Sequence, residues 1–241
     1  MHHRLIPALS IAALSVSLAA CSSGSAAPAS NTEAVNLVAK AESAIQAQST
    51  LHFVDKTTVG TQTQTVTGQF GPTASQEVLS VTGGSTIDVR LIDSTAYINT
   101  TSASTLEGVL GLTAAQAVPA SGRWITLTKA DLPYFQIIQA LDIAQVVSIY
   151  LPSKSTAALG PESTIGGVRV IAVSGSVTTT SGPVSHSTLY LSTATSLPVK
   201  GTLTASQGST HEAKTADFTS WGAPVDVALP AGSVPLATFK S

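Results

Sequence analysis

Apolar residues in this chain recur every second position over most of its length. Ile87, Val89 and Leu91 alternate with Asp88 and Arg90. Gln64, Val66, Gly68 and Phe70 share one face of an earlier segment, Glu77, Leu79 and Val81 share a face of the next, and Leu51 and Phe53 alternate with His52. Successive side chains of a β-strand point to opposite faces, so this alternation marks half-buried strands. Gly60, Gly71-Pro72, Gly83-Gly84 and Asp93-Ser94 interrupt the pattern at the spacing of consecutive hairpins. Tyr97 and Asn99 close this first block. A second block follows at residues 168–173, 187–191, 199–204 and 211–218, with Ser181-Gly182-Pro183 and Gln207-Gly208-Ser209 as its turns. Thr and Val fill both blocks, as suits a pleated surface.

Helical periodicity appears in three places. Residues 32–48 carry Ala34, Leu37, Val38, Ala41, Ala44 and Ile45 on one stripe, and Ser30 and Glu33 have the spacing of a capping box. Leu106, Val109, Leu110 and Leu112, then residues 114–118, form a second helical stretch, with Ser104 and Glu107 at capping-box spacing. A short strand at residues 123–127 separates it from the longest apolar run of the body, residues 132–151. Pro133 suits the first turn of a helix there, and Pro152 ends it. Tyr134, Phe135, Ile137, Ile138, Leu141, Ile143, Val146, Val147 and Ile149 cover more than one face. A helix apolar nearly all round is deeply buried or faces something greasy besides its own core. Residues 220–227 read as a last extended segment, before a Pro-rich tail ending at the surface. Helix, strands, helical insertion and strands in that order predict an α+β domain with a large antiparallel sheet; no βαβ alternation supports a parallel one.

Composition narrows the function classes. Charged residues make up 10% of the 241, against a usual ~25%. Ser and Thr, 32 of each, do most of the solvating. The net charge of −2 leaves no cationic excess to neutralise phosphates, which argues against nucleic acid as a partner. Beyond the N-terminus the histidines are His52, His186 and His211, with no second histidine at metal spacing after His211-Glu212. No Gly-x-Ser-x-Gly elbow and no phosphate-cradling glycine loop is present. No catalytic residue, metal site or cofactor is therefore expected.

The N-terminus predicts location. His2, His3 and Arg4 precede an apolar run from Leu5 to Leu18, too short for a membrane span of ~20 residues. Leu18-Ala19-Ala20-Cys21 resembles a bacterial lipobox, and Cys21 is the single cysteine of the chain, which excludes an internal disulfide. Residues 1–20 are expected to be a signal peptide and Cys21 the lipid anchor on the outer side of the cell membrane. Residues 22–31, rich in Ser, Ala and Pro, form the tether, and residues 32–241 a single domain.

This order of features resembles a known family. The lipobox, the tether, the apolar helical middle, Arg123-Trp124-Ile125, the stretch Ser163-Thr164-Ile165-Gly166-Gly167-Val168-Arg169-Val170 and the closing Phe218-Thr219-Ser220-Trp221-Gly222-Ala223-Pro224-Val225 are similar to the LppX/LprA/LprF/LprG-type actinobacterial lipoproteins. The resemblance implies a LolA-like half-barrel, a curved antiparallel sheet wrapping helices around an apolar cavity for the acyl chains of a lipid or glycolipid. On that reading Phe135, Ile138, Leu141, Val146 and Val147 line the cavity together with Phe53, Val66, Val89, Leu91 and Leu203. The expected function is then a tethered lipid-binding carrier of the cell envelope, with no enzymatic activity. The alternative is a sensor or interaction module of the same fold that binds an envelope protein; a hydrolase with an unrecognised site ranks third.

Overall fold

The structure, a computed structural model, describes residues 32–177, 185–208 and 210–240. The expected signal peptide, Cys21, the tether and the Ser181-Gly182-Pro183 turn lie outside these residues.

Among the described residues, twelve strands form one sheet. They are β1 (Leu51–Val59), β2 (Gln62–Phe70), β3 (Ala74–Val81), β4 (Thr86–Ile92), β5 (Thr95–Thr100), β6 (Ile125–Leu127), β7 (Ala158–Ile165), β8 (Val168–Val177), β9 (Ser185–Ser192), β10 (Pro198–Gln207), β11 (Thr210–Thr219) and β12 (Val234–Pro235). Their order is β12-β6-β5-β4-β3-β2-β1-β11-β10-β9-β8-β7. Neighbours run antiparallel except β12 beside β6, so the expected fold class holds. Pairing of β1 with β11, Phe53 opposite Phe218, joins the two strand blocks into one sheet. The Asp93-Ser94 turn between β4 and β5 has positive φ at both residues, 47° and 72°. A two-residue hairpin of this kind matches the twist of the strands it connects.

The alternation in the sequence now has a direction. Leu51, Phe53, Val66, Phe70, Val89, Leu203 and Phe218 face the helices, while His52, Gln69 and Arg90 face outward. α1 (Thr32–Gln46) buries Ala34, Val38, Ala41 and Ile45 against this face. α2 (Ala103–Leu110) and α3 (Ala114–Ala120) cover the β5–β6 end. The cap of α2 is Ser102, whose hydroxyl accepts from the Thr105 N–H at 3.1 Å, two residues ahead of the expected Ser104. Starting there places Leu106 and Leu110 one turn apart on the buried face.

The apolar run at 132–151 is two helices rather than one. α4 (Tyr134–Ala140) stops at Leu141, and Asp142, extended at φ −112°, caps α5 (Ile143–Ser148) by accepting from the Gln145 N–H at 3.0 Å. The two halves serve different cores. Tyr134 and Ile137 pack with Ile98, Leu106, Leu110, Ile125 and Leu127 in a second core, distinct from the first core beneath α1. Leu141, Val147 and Tyr150 pack with Phe53, Phe70, Leu189, Leu191 and Phe218. The all-round apolarity is explained largely by that division, because each core takes a different side of the run.

Residues 220–227 form no strand. From Trp221 onward the chain straps the outer face: Gln69 donates to the Asp226 carbonyl at 2.8 Å and Arg90 to that of Ala228 at 2.7 Å, while the His52 ring lies 3.2 Å from the Pro224 carbonyl. The tail docks before it reaches the surface at the exposed Lys240. β12 adds to β6, and Leu236 and Phe239 are buried in the second core. No helix among the described residues is long and apolar enough to cross a membrane.

Candidate functional site

Between α5 and the helix-covered face of the sheet lies a cleft of about 270 Å³. Period two delivers Phe53, Asp55 and Thr57 from β1, Gln64 and Val66 from β2, Glu77 from β3 and Lys214 from β11 to its floor. Ala140, Gln145, Val146 and Ile149 form the helical wall. The cleft thus combines apolar walls with two carboxylates and one ammonium.

The polar groups differ in how they are satisfied. The Tyr150 hydroxyl, on a fully buried ring, donates to the Asp55 carboxylate at 2.5 Å, and Thr57 donates to the same group at 3.4 Å. The Tyr150 ring stands edge-on to Phe218 with centroids 5.9 Å apart and lies on the backbone of Gly201. Burial, then the adjoining Asp55, raises the Tyr150 hydroxyl above its ordinary range, so it remains a proton donor. Burial also raises Asp55, an effect opposed by the Tyr150 bond and by the Lys214 charge. Lys214 itself sits 3.3 Å from Glu212. Glu77 has no hydrogen bond or ion pair among the described residues; burial, and then repulsion from Asp55, push its carboxyl up to about 7.

Of the residues expected to line a cavity, Phe53, Val66 and Val146 border the cleft. Leu141, Val147 and Leu203 are buried in the first core, and Val89 and Leu91 pack against it half-exposed. Leu141 also borders a second opening of about 370 Å³ beside Ile45 and Phe70. Ile138 and Phe135 depart from the expectation, because the break at Leu141–Asp142 turns α4 toward the other core. Ile138 packs there, and Phe135 is 55% exposed, edge-on to Tyr134. Asp55, Glu77, Tyr150 and Lys214 were not singled out from sequence. The signal for two of them was present: Glu77 shares a face with Leu79 and Val81, and Asp55 stands two residues after Phe53.

The histidines have structural surroundings. His211 pairs with the Ser206 hydroxyl at 2.9 Å, His52 lies against the strap, and His186 is exposed. A larger groove of about 650 Å³ opens where β7 to β11 end, lined by Val168, Leu197, Val199, Phe218 and Trp221 among others. The Trp221 indole is fixed there by donating to the Pro198 carbonyl at 2.8 Å.

No family model matches the sequence, and no curated protein matches it. Solved structures do. Lipoprotein LppX of Mycobacterium tuberculosis, 13% identical, aligns over 83% of this chain and 100% of its own with a TM-score of 0.51. LprF from Mycobacterium bovis, 14% identical, aligns over 85% of this chain and 100% of its own with a TM-score of 0.51. At these identities the likeness is one of fold.

Proposed function

We propose that this chain is an envelope lipoprotein, anchored through Cys21 on the outer side of the cell membrane, whose half-barrel holds the alkyl chain of a lipid or glycolipid. The observation that carries this reading is the cleft beneath α5, with Phe53, Val66, Ala140, Val146 and Ile149 on its walls. Its fold likeness to two mycobacterial proteins, one of them named a lipoprotein, supports it. At about 270 Å³ the cleft lies just below the ~300–1,000 Å³ of small-molecule pockets, a size suited to one chain rather than two. Each methylene that leaves water there contributes ~0.8 kcal/mol. The protein's own part is to bind and present, with no catalytic step.

The test uses a Cys21→Ala form made in a lipid-rich host. It is expected to be released from the membrane, and mass spectrometry of the purified protein to find a bound lipid. Val146→Trp, which fills the cleft from the helix side, is expected to lower lipid occupancy while leaving the fold intact. Membrane retention of a mature Cys21→Ala protein refutes the anchor, and absence of lipid from the parent form refutes the carrier. A second reading, a module that binds an envelope protein, draws on the larger groove beside Trp221. It would show as a protein partner retained by the lipid-free form.

A further inference from the structure

The charge pattern of the cleft specifies the polar end of its ligand. Facing it from the strands are Asp55 on β1, Glu77 on β3 and Lys214 on β11, with Glu212 beside Lys214. From β2 come Gln64 and Val66, from α4 and α5 come Ala140, Gln145 and Val146, and Ile149 follows α5, all uncharged. Asp55 is occupied by the Tyr150 hydroxyl, and the Lys214 ammonium by Glu212. Glu77 remains. It opens onto the cleft, with apolar Val66 and Val146 also on its lining, and no donor among the described residues reaches it. A carboxylate in that position is completed by a ligand that brings a charged donor, and it repels one that brings a second anion.

We infer that the cleft selects a single-chain amphiphile ending in a protonated amine, with the ammonium on Glu77 and the alkyl chain along Phe53, Val66, Val146 and Ile149. This rests on the apolar-cleft reading and adds the head-group chemistry to it. An anionic end of the same chain length meets two carboxylates against one already paired ammonium. An uncharged alcohol falls between, since it can donate one neutral hydrogen bond to Glu77.

Chain-matched decylammonium, decanol and decanoate, titrated calorimetrically into the Cys21→Ala protein, separate the two levels of the argument. At about pH 8, where Glu77 is ionised, decylammonium is expected to bind at least about ten-fold more tightly than decanoate. Glu77→Gln is expected to remove most of that difference while leaving decanol binding in place. At about pH 5 the parent protein should behave like the variant, because Glu77 is then protonated. If decanol binds and decanoate binds as tightly as the amine, or if Glu77→Gln leaves the preference unchanged, the head-group assignment is overturned and the apolar cleft stands. If none of the three binds, the cleft reading falls and this inference with it. Urea unfolding of the Glu77→Gln protein checks that a lost preference reflects chemistry rather than a lost fold.

Discussion

Glu77→Gln also tests the electrostatics of the cleft through stability alone, without any ligand. Burial and the Asp55 charge raise the Glu77 carboxyl from 4.5 to about 7. The native state therefore keeps a proton that the unfolded chain releases between those values. The sign follows from linkage: the contribution is fully present below about 4.5, and stability is lost as pH rises through about 7. Each unit of separation corresponds to about 1.36 kcal/mol, giving a ceiling of about 3 kcal/mol; screening by water at a partly exposed carboxylate lowers the expected effect to about 2 kcal/mol. The wild-type protein should lose that amount between about pH 5 and about pH 8, and Glu77→Gln should be the more stable protein at the alkaline end. Urea unfolding followed by Trp124 and Trp221 fluorescence at both pH values measures it. Asp55 is raised in the same direction and leaves a residual slope in the variant. Identical pH dependence in the two proteins, or a variant weaker than wild type at about pH 8, refutes the placement of an unpaired, half-buried carboxylate at residue 77.

Two further changes probe the scaffold around the cleft. A Cβ on Gly201 would stand 2.6 Å from Cγ of Tyr150, so Gly201→Ala must displace the ring and its bond to Asp55. A loss of about 1–3 kcal/mol in thermal or urea unfolding is expected, and an unchanged midpoint contradicts the close packing. Asp142→Ala removes the cap of α5 and should cost about 1 kcal/mol, with faster amide exchange confined to residues 143–148; exchange that is unaltered there rules out the cap as the reason the run divides.

Much of the sheet was legible because one face of each strand is apolar, and the reasons for the misses are local. β7 escaped notice because it is an edge strand: it carries Gly160, Pro161 and exposed Glu162, Ser163 and Thr164, and its pairing with β8 shifts register between Leu159 and Glu162. An edge tolerates Pro, which a central strand does not. The division of the 132–151 run turned on Asp142, a polar residue whose role as a cap appears once its carboxylate is seen on the Gln145 N–H. For the cleft, the apolar contributors Phe53, Val66 and Val146 followed from periodicity. Asp55 and Glu77 required knowing that β1 and β3 both flank β2, a pairing that periodicity within a strand does not contain. Phe135 sits on the outer side of α4, whose buried face carries Tyr134 and Ile137, and an all-round apolar run gives no sign of which side is buried.

The docking of the tail has a kinetic consequence. Val234 pairs with Ile125, and Leu236 and Phe239 complete a core whose other buried members come from residues 96–137, so the contacts that close it span a large part of the chain. Closure between segments so distant in sequence is slow, because the loop entropy is spent before the contacts repay it. Until residues 234–239 arrive, β6 is an open edge and its apolar neighbours face water. A nascent chain therefore stays incomplete at this end while its hairpins are already forming, and that is the moment of greatest exposure to self-association.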